Sequence, residues 1–188
     1  KQSSRLSYYD QALQKLLDKK RAYPCFETAE ELSLKRKKQL SSGKPPIYDR
    51  SALNLSDSDI ADLKAKGRSP HYRFLLDHKD VNWNDLVKGT SQYNMSNLSD
   101  PVIIREDGRV IYTLASVVDD IDFEVTDILR GEDHMTNSAA QIQLFEALES
   151  SPPNLGHLSL LTDISGAGLS KRLGSISLRD LKDEGFQP

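Results

Sequence analysis

The chain contains a single cysteine, Cys25, among 188 residues. An internal disulfide is therefore excluded, and the usage suits a reducing compartment. No apolar run approaches the roughly 20 residues that a membrane helix needs. Residues 1–9 are polar and lack the apolar core of a signal peptide. No Walker motif, G-x-S-x-G elbow or Rossmann glycine fingerprint is present, and there is no internal repeat or low-complexity segment. His134 has no second His or Cys at ligand spacing, so the sequence does not support a metal site there. The chain begins with Lys rather than Met, from which a fragment or a processed piece is expected.

What remains is an ordinary soluble composition, 37% hydrophobic and 28% charged, long enough for one domain or two small ones. Charge is uneven. Residues 1–50 carry 12 Lys/Arg against 6 Asp/Glu, whereas residues 51–188 carry 13 against 22. A basic first quarter can meet a polyanion, or it can be a solvated helix face whose last-turn lysines complement the macrodipole.

The periodicity predicts an amphipathic helix near Tyr9, Leu13, Leu16 and Leu17, and a short β-run over Ala22–Phe26. Thr28 with Glu31 three residues later is a capping box opening a helix to about Leu40, and Ser56 opens another ending before Gly67. From His71 the period shortens to two at Tyr72, Phe74 and Leu76, then at Val81 and Trp83, continuing less cleanly over Asp85, Leu86 and Val87. Asp107-Gly108 between two β-branched runs, 101–105 and 109–112, predicts a hairpin. Beyond Tyr112 the pattern turns α/β. Helices are expected over Leu114–Asp120, Asn137–Leu148 and Ser177–Glu184, strands over Phe123–Leu129 and His157–Leu161, and a glycine-flanked loop over Gly166–Gly174.

Several residues carry chemistry, each beside a plainer alternative. Lys171 in the glycine-flanked loop can neutralise charge on a pyrophosphate leaving group, or it can be an exposed turn cation. Arg130, directly after the expected strand, can fork onto a carboxylate, or it can pair with Asp119, Asp120 or Asp133. Asp119 and Asp120 can serve acid–base chemistry, although helix neighbours point about 100° apart and a structural role is equally open. Cys25 beside Phe26 reads as core.

The segments AYPCFETAEEL, DPVIIREDGRVIYTLASVVDDIDFEVTDILRGEDHMTN, QIQLFEAL and LSKR stand in one order across nearly the whole chain. Together they resemble the catalytic region of bacterial-type glutamyl-tRNA synthetases. The resemblance implies an α/β fold: the second half of a class I Rossmann-type core carrying an inserted α+β acceptor-stem-binding domain. Residues 1–20 would end the first Rossmann half, 21–112 form the insert, 113–165 the second half, and 166–188 the KMSKS-like loop and the start of a helical region. It implies ATP-dependent formation of glutamyl-adenylate and transfer of glutamate to tRNA(Glu), with Mg2+ accompanying ATP. By position, Tyr112, Ser116 and Arg130 match glutamate-contacting residues. Glu132, Asp133, His134, Leu160, Leu161, Lys171 and Arg172 match the nucleotide side, and Ser170 and Lys171 fall on the catalytic loop.

Three departures stand out. Gly168 replaces a basic residue of the loop motif, and Ser116 stands where many relatives have Asn. Of the four positions that bind zinc in some relatives, only Cys25 and Tyr48 persist, with Glu27 and Ala52 at the others, so no structural zinc is expected. The HIGH-type signature and the anticodon-binding region are not in these residues, and the chain alone is expected not to activate glutamate at a normal rate. The expected partners are the tRNA acceptor arm, glutamate and ATP, with no membrane, in a cytoplasmic monomer. Two alternatives stay open: an enzyme that glutamylates a modified base of tRNA(Asp), and a non-catalytic acceptor-binding module.

Overall fold

Helix α1 (Leu6–Asp18) forms because Tyr9, Ala12, Leu13 and Leu16 recur on one face, and that face is buried. It lies against α4 (Tyr112–Asp122), whose Leu114, Ala115, Val117 and Val118 are buried in the same core. Arg5 fastens the two helices. Its guanidinium sits between the rings of Tyr8 (4.5 Å) and Phe123 (4.6 Å), donates to Asp119 at 2.7 Å and forms an ion pair with Asp122 at 2.9 Å. The computed structural model describes residues 1–162 and 178–186.

Strand β1 (Ala22–Cys25) pairs antiparallel with β2 (His71–Phe74), which pairs with β5 (Val102–Ile104). Between β1 and β2 run α2 (Ala29–Ser41) and α3 (Asp57–Ala65), each begun by a capping box, Thr28 with Glu31 and Ser56 with Asp59. Neither helix buries a residue fully, so their caps matter more than their packing. Strands β3 (Asp80–Asp85) and β4 (Gly89–Asn94) form a separate antiparallel hairpin. Its turn is held by Asp85, whose carboxylate accepts the Val87 and Lys88 N–H groups, each at 3.0 Å, and Gly89 supplies a left-handed φ of 75°.

The last layer is a parallel pair, β6 (Asp127–Gly131) and β7 (Asn154–Leu158), joined through α5 (Met135–Ala147). A parallel pair requires such a crossover, and α5 is buried almost all round because it lies between the sheet and α4. Helix α6 (Leu178–Asp183) is the last described element.

Four expectations need correction. Asp107-Gly108 does turn the chain, with Gly108 at φ 80° and the Arg105 N–H on the Arg109 carbonyl at 2.9 Å. The return strand, however, is one bridge, Ile104 to Val110, because Tyr112 already begins α4. The strand expected over Phe123–Leu129 starts at Asp127 instead. Phe123 ends α4, stacked on Arg5, and Glu124 reverses the chain at φ 52°. The strand expected over His157–Leu161 is β7, three residues earlier, so Leu160 and Leu161 lie past its end. Asp85-Leu86-Val87 is a turn rather than strand continuation, and polar β4, which has no apolar alternation, was not anticipated.

Candidate active site

Tyr112, Ser116 and Arg130 converge. Tyr112 opens α4 with its ring half-exposed, and Ser116 follows one turn later, its hydroxyl donating to the Tyr112 carbonyl at 2.8 Å. Arg130 lies within β6 rather than after it, and pairs with none of Asp119, Asp120 and Asp133. Its Nη1 donates to the Tyr112 hydroxyl at 3.1 Å. Its Nη2 donates to Ser138 Oγ at 2.5 Å and to Gln141 Oε1 at 2.7 Å, and Gln141 Nε2 donates to Ser116 Oγ at 2.7 Å. The three residues are thus stitched together by two buried polar side chains of α5, Ser138 and Gln141, which sequence reasoning missed. Their signal was weak: Ser138 and Gln141 stand three apart and so share one face of α5, but Thr136, Asn137, Gln143 and Glu146 are polar there too.

Arg130 keeps a buried Nε–H that finds no acceptor among the described residues. Asp120, half-buried nearby, is pushed up by burial, with Arg130 pulling the other way and Asp119 adding to the rise. Asp119 itself accepts from Arg5 and from the Tyr9 hydroxyl at 2.9 Å. That engagement makes it an anchor between helices, not one half of an acid–base pair.

The acidic stretch after β6 adjoins this cluster. Glu132 forms an ion pair with Lys88 of the β3–β4 turn and accepts the Leu160 N–H at 3.2 Å; the Lys88 ammonium holds its carboxyl below the ordinary range. Lys88, unremarked in the sequence, also reaches Ser159 at 3.3 Å. Asp133 is exposed. Its carboxylate lies so near Gly131 that an added Cβ would stand 2.5 Å from Oδ1, a contact the exposed Asp133 side chain can relieve by turning away. His134 contacts Asn137 at 3.1 Å and meets the Tyr112 ring edge-on, centroids 5.9 Å apart. Tyr112 therefore touches both groups of expected site residues. Leu160 and Leu161 are exposed beyond β7. Ser170, Lys171, Arg172 and the loop over Gly166–Gly174 lie outside the described residues.

Around Cys25 the donor set does not fit zinc. The thiol is fully buried and pushed up to about 11, chiefly by burial. The Tyr48 hydroxyl, 3.7 Å from Sγ, donates to Glu27 at 2.8 Å. Glu27 also receives Ser51 at 3.0 Å and the Lys35 ammonium at 3.2 Å. Burial would raise the Glu27 carboxyl, but these bonds prevail and hold it low. A lysine cation stands against the carboxylate, and Ala52 offers no ligand. A groove along α2, lined by Lys35, Arg36, Gln39, Tyr48 and Arg73 among others, includes none of the expected active-site residues.

Residues 1–188 match the family described as tRNA synthetases class I (E and Q), catalytic domain. Glutamate–tRNA ligase 2 of Methylorubrum populi is 56% identical over 188 residues, covering all of this chain and 42% of the relative. Glutamate–tRNA ligase 1 of Rickettsia bellii is 54% identical over 183 residues, covering 97% of this chain and 41% of the relative. A crystal structure of a glutamate tRNA ligase from Elizabethkingia meningosepticum superposes with a TM-score of 0.83 at 28% identity, over 98% of this chain and 37% of that one. The chain spans about two fifths of the length of these curated relatives.

Proposed function

We propose, from the premise that this chain belongs to the class I tRNA synthetase (E and Q) catalytic-domain family, that it carries part of the active site of a glutamate–tRNA ligase. In this reading a glutamate carboxylate oxygen attacks the α-phosphate of ATP and pyrophosphate leaves. A hydroxyl of the tRNA's terminal adenosine then attacks the activated carbonyl and AMP leaves. Such steps depend on positioning and charge neutralisation more than on a protein nucleophile.

The observation that carries the reading is the convergence of Tyr112, Ser116 and Arg130. Arg130 is a guanidinium clamped on one side by Ser138 and Gln141, with its Nη1 side toward the half-exposed Tyr112. With both Nη2 hydrogens taken by Ser138 and Gln141, the remaining Nη1 N–H and the positive charge are what a carboxylate would meet, and Tyr112 adds a hydroxyl at the rim. Glu132, Asp133, His134, Leu160 and Leu161 are assigned to the nucleotide. Ser170, Lys171 and Arg172 are assigned to the phosphates, with Lys171 stabilising the transition state. Mg2+ bound with ATP would supply charge neutralisation on the triphosphate. Among the described residues no three His, Cys, Asp or Glu side chains are grouped to hold a metal. No structural zinc is assigned, given the donor set around Cys25.

The domain assignment follows the same reading: residues 21–112 as the insert facing the tRNA acceptor arm, flanked by 1–20 and 113–165 of the Rossmann-type core, with 166–188 beginning the next region. Among the described residues no helix is long and apolar enough to cross a membrane. The family reading assigns the protein to the cytoplasm as a monomer. The test is ATP–pyrophosphate exchange and aminoacylation by the full-length protein. Exchange that requires glutamate and tRNA(Glu), with charging of that tRNA, is the expected result. Preference for another amino acid, or charging of tRNA(Asp) instead, would overturn the assignment.

A further inference from the structure

Asp85 lies on the β3–β4 hairpin, far in sequence from the candidate site, yet its carboxylate is fully buried against β7. One oxygen accepts three backbone N–H groups, those of Val87, Lys88 and His157, each at 3.0 Å. The other accepts Trp83 Nε1 at 3.1 Å and lies 2.5 Å from His157 Nδ1. Burial alone would raise this carboxyl, but the imidazole and backbone donors outweigh it and keep Asp85 ionised. An ionised oxygen facing Nδ1 places a ring hydrogen on Nδ1, and in the neutral ring Nε2 is then an acceptor. Nε2 is 2.6 Å from Ser138 Oγ.

Ser138 has one hydroxyl hydrogen and two competing acceptors, His157 Nε2 at 2.6 Å and the His134 carbonyl at 3.2 Å. Donation to the closer imidazole turns the oxygen lone pairs toward Arg130 Nη2, 2.5 Å away. The order Asp–His–Ser mimics a hydrolytic triad, but Ser138 is wholly buried and its oxygen already faces a guanidinium, so it is not a nucleophile. Its geometry serves Arg130.

We propose that Asp85, His157 and Ser138 form a buried positioning arm that sets the orientation of the Arg130 guanidinium, and through it the amino-acid site. The hairpin thereby fixes a residue of the parallel sheet. The inference rests on the reading that Arg130 receives the amino-acid carboxylate. None of the three arm residues touches substrate; each acts through Arg130.

The test compares wild type, Ser138→Ala, Asp85→Asn and Arg130→Ala in the full-length protein. KM for glutamate and KM for ATP are measured separately in tRNA-dependent exchange, with a thermal melt and 15N spectra of the His157 ring. Ser138→Ala removes one oxygen from a tight site, and it should raise the glutamate KM about tenfold, the scale of one hydrogen bond to a charged group. The ATP KM should stay within about twofold. Asp85→Asn should do the same and move the His157 hydrogen from Nδ1 to Nε2, a shift that a general loosening would not produce. If Arg130→Ala raises the glutamate KM while Ser138→Ala leaves it unchanged, the positioning arm is wrong. Equal rises in both KM values with a lowered melt would reduce it to ordinary packing and overturn it too. If Arg130→Ala itself leaves the glutamate KM unchanged, the underlying assignment of Arg130 fails instead. Should Asp85→Asn not fold, Ser138→Ala decides alone.

Discussion

Asp100 offers a sharp stability test. Its carboxylate is fully buried and accepts the Tyr23 hydroxyl at 2.6 Å, Arg50 Nη2 at 2.7 Å and the Leu76 N–H at 3.0 Å. Its carbonyl takes Arg73 Nη1 at 2.7 Å, so this one residue ties β1, β2 and the Arg50 turn together. Asp100→Ala would strip an acceptor from three donors and leave Arg50 without its counter-charge. Removing one partner of a buried pair costs about 3–5 kcal/mol. Arg50 is 25% exposed, so water recovers part of its solvation, and the lower end, about 3 kcal/mol, applies. Asp100→Asn keeps an oxygen for Arg50 and Leu76, and Tyr23 can turn to accept from the new amide. Only the charge assistance is lost, about 1–1.5 kcal/mol. Urea unfolding of both variants, at unchanged denaturant slope, measures the difference. An Ala variant within about 1 kcal/mol of wild type, or an Asn variant as damaged as Ala, would refute the reasoning.

Other outcomes follow from single sites. The Glu31 carboxyl is held down to about 2, first by the Arg68 guanidinium and then by the Thr28 N–H. Because its folded value lies below the ordinary 4.5, the stabilisation is complete above that pH and lost as pH falls from 4.5 toward 2. A carbon-detected NMR titration should find this, and Arg68→Ala should return Glu31 toward the ordinary range. The buried Cys25 thiol, pushed up to about 11, stays protonated at neutral pH and should react with a thiol reagent only as fast as the protein opens; rapid labelling of native protein would contradict its placement. Gly156→Ala would set a Cβ 2.5 Å from Leu129 Cδ2 and 3.4 Å from Leu86 Cβ. Leu129 is exposed and can swing aside, so the cost should be about 1 kcal/mol and should largely vanish when combined with Leu129→Ala.

Local chemistry made part of this protein legible from its residues alone. The apolar face of α1 and the two capping boxes depend on neighbours three and four positions apart, so periodicity and side-chain type suffice to place them. Motif resemblance likewise named Tyr112, Ser116 and Arg130 together, although nothing in their spacing relates residues 14 positions or more apart in chain. The limits of β6 and β7 were not legible, because a parallel strand begins and ends where its partner does. Asp127 faces Asn154 and Gly131 faces Leu158, and that register overrides the strand expected over Phe123–Leu129. Polar β4 is a strand only because β3 is there to accept its hydrogen bonds. The same holds for the site. Ser138, Gln141, His157 and Asp85 are ordinary polar residues in the sequence, and they gain their roles because burial away from water makes them bond to one another and to nearby backbone.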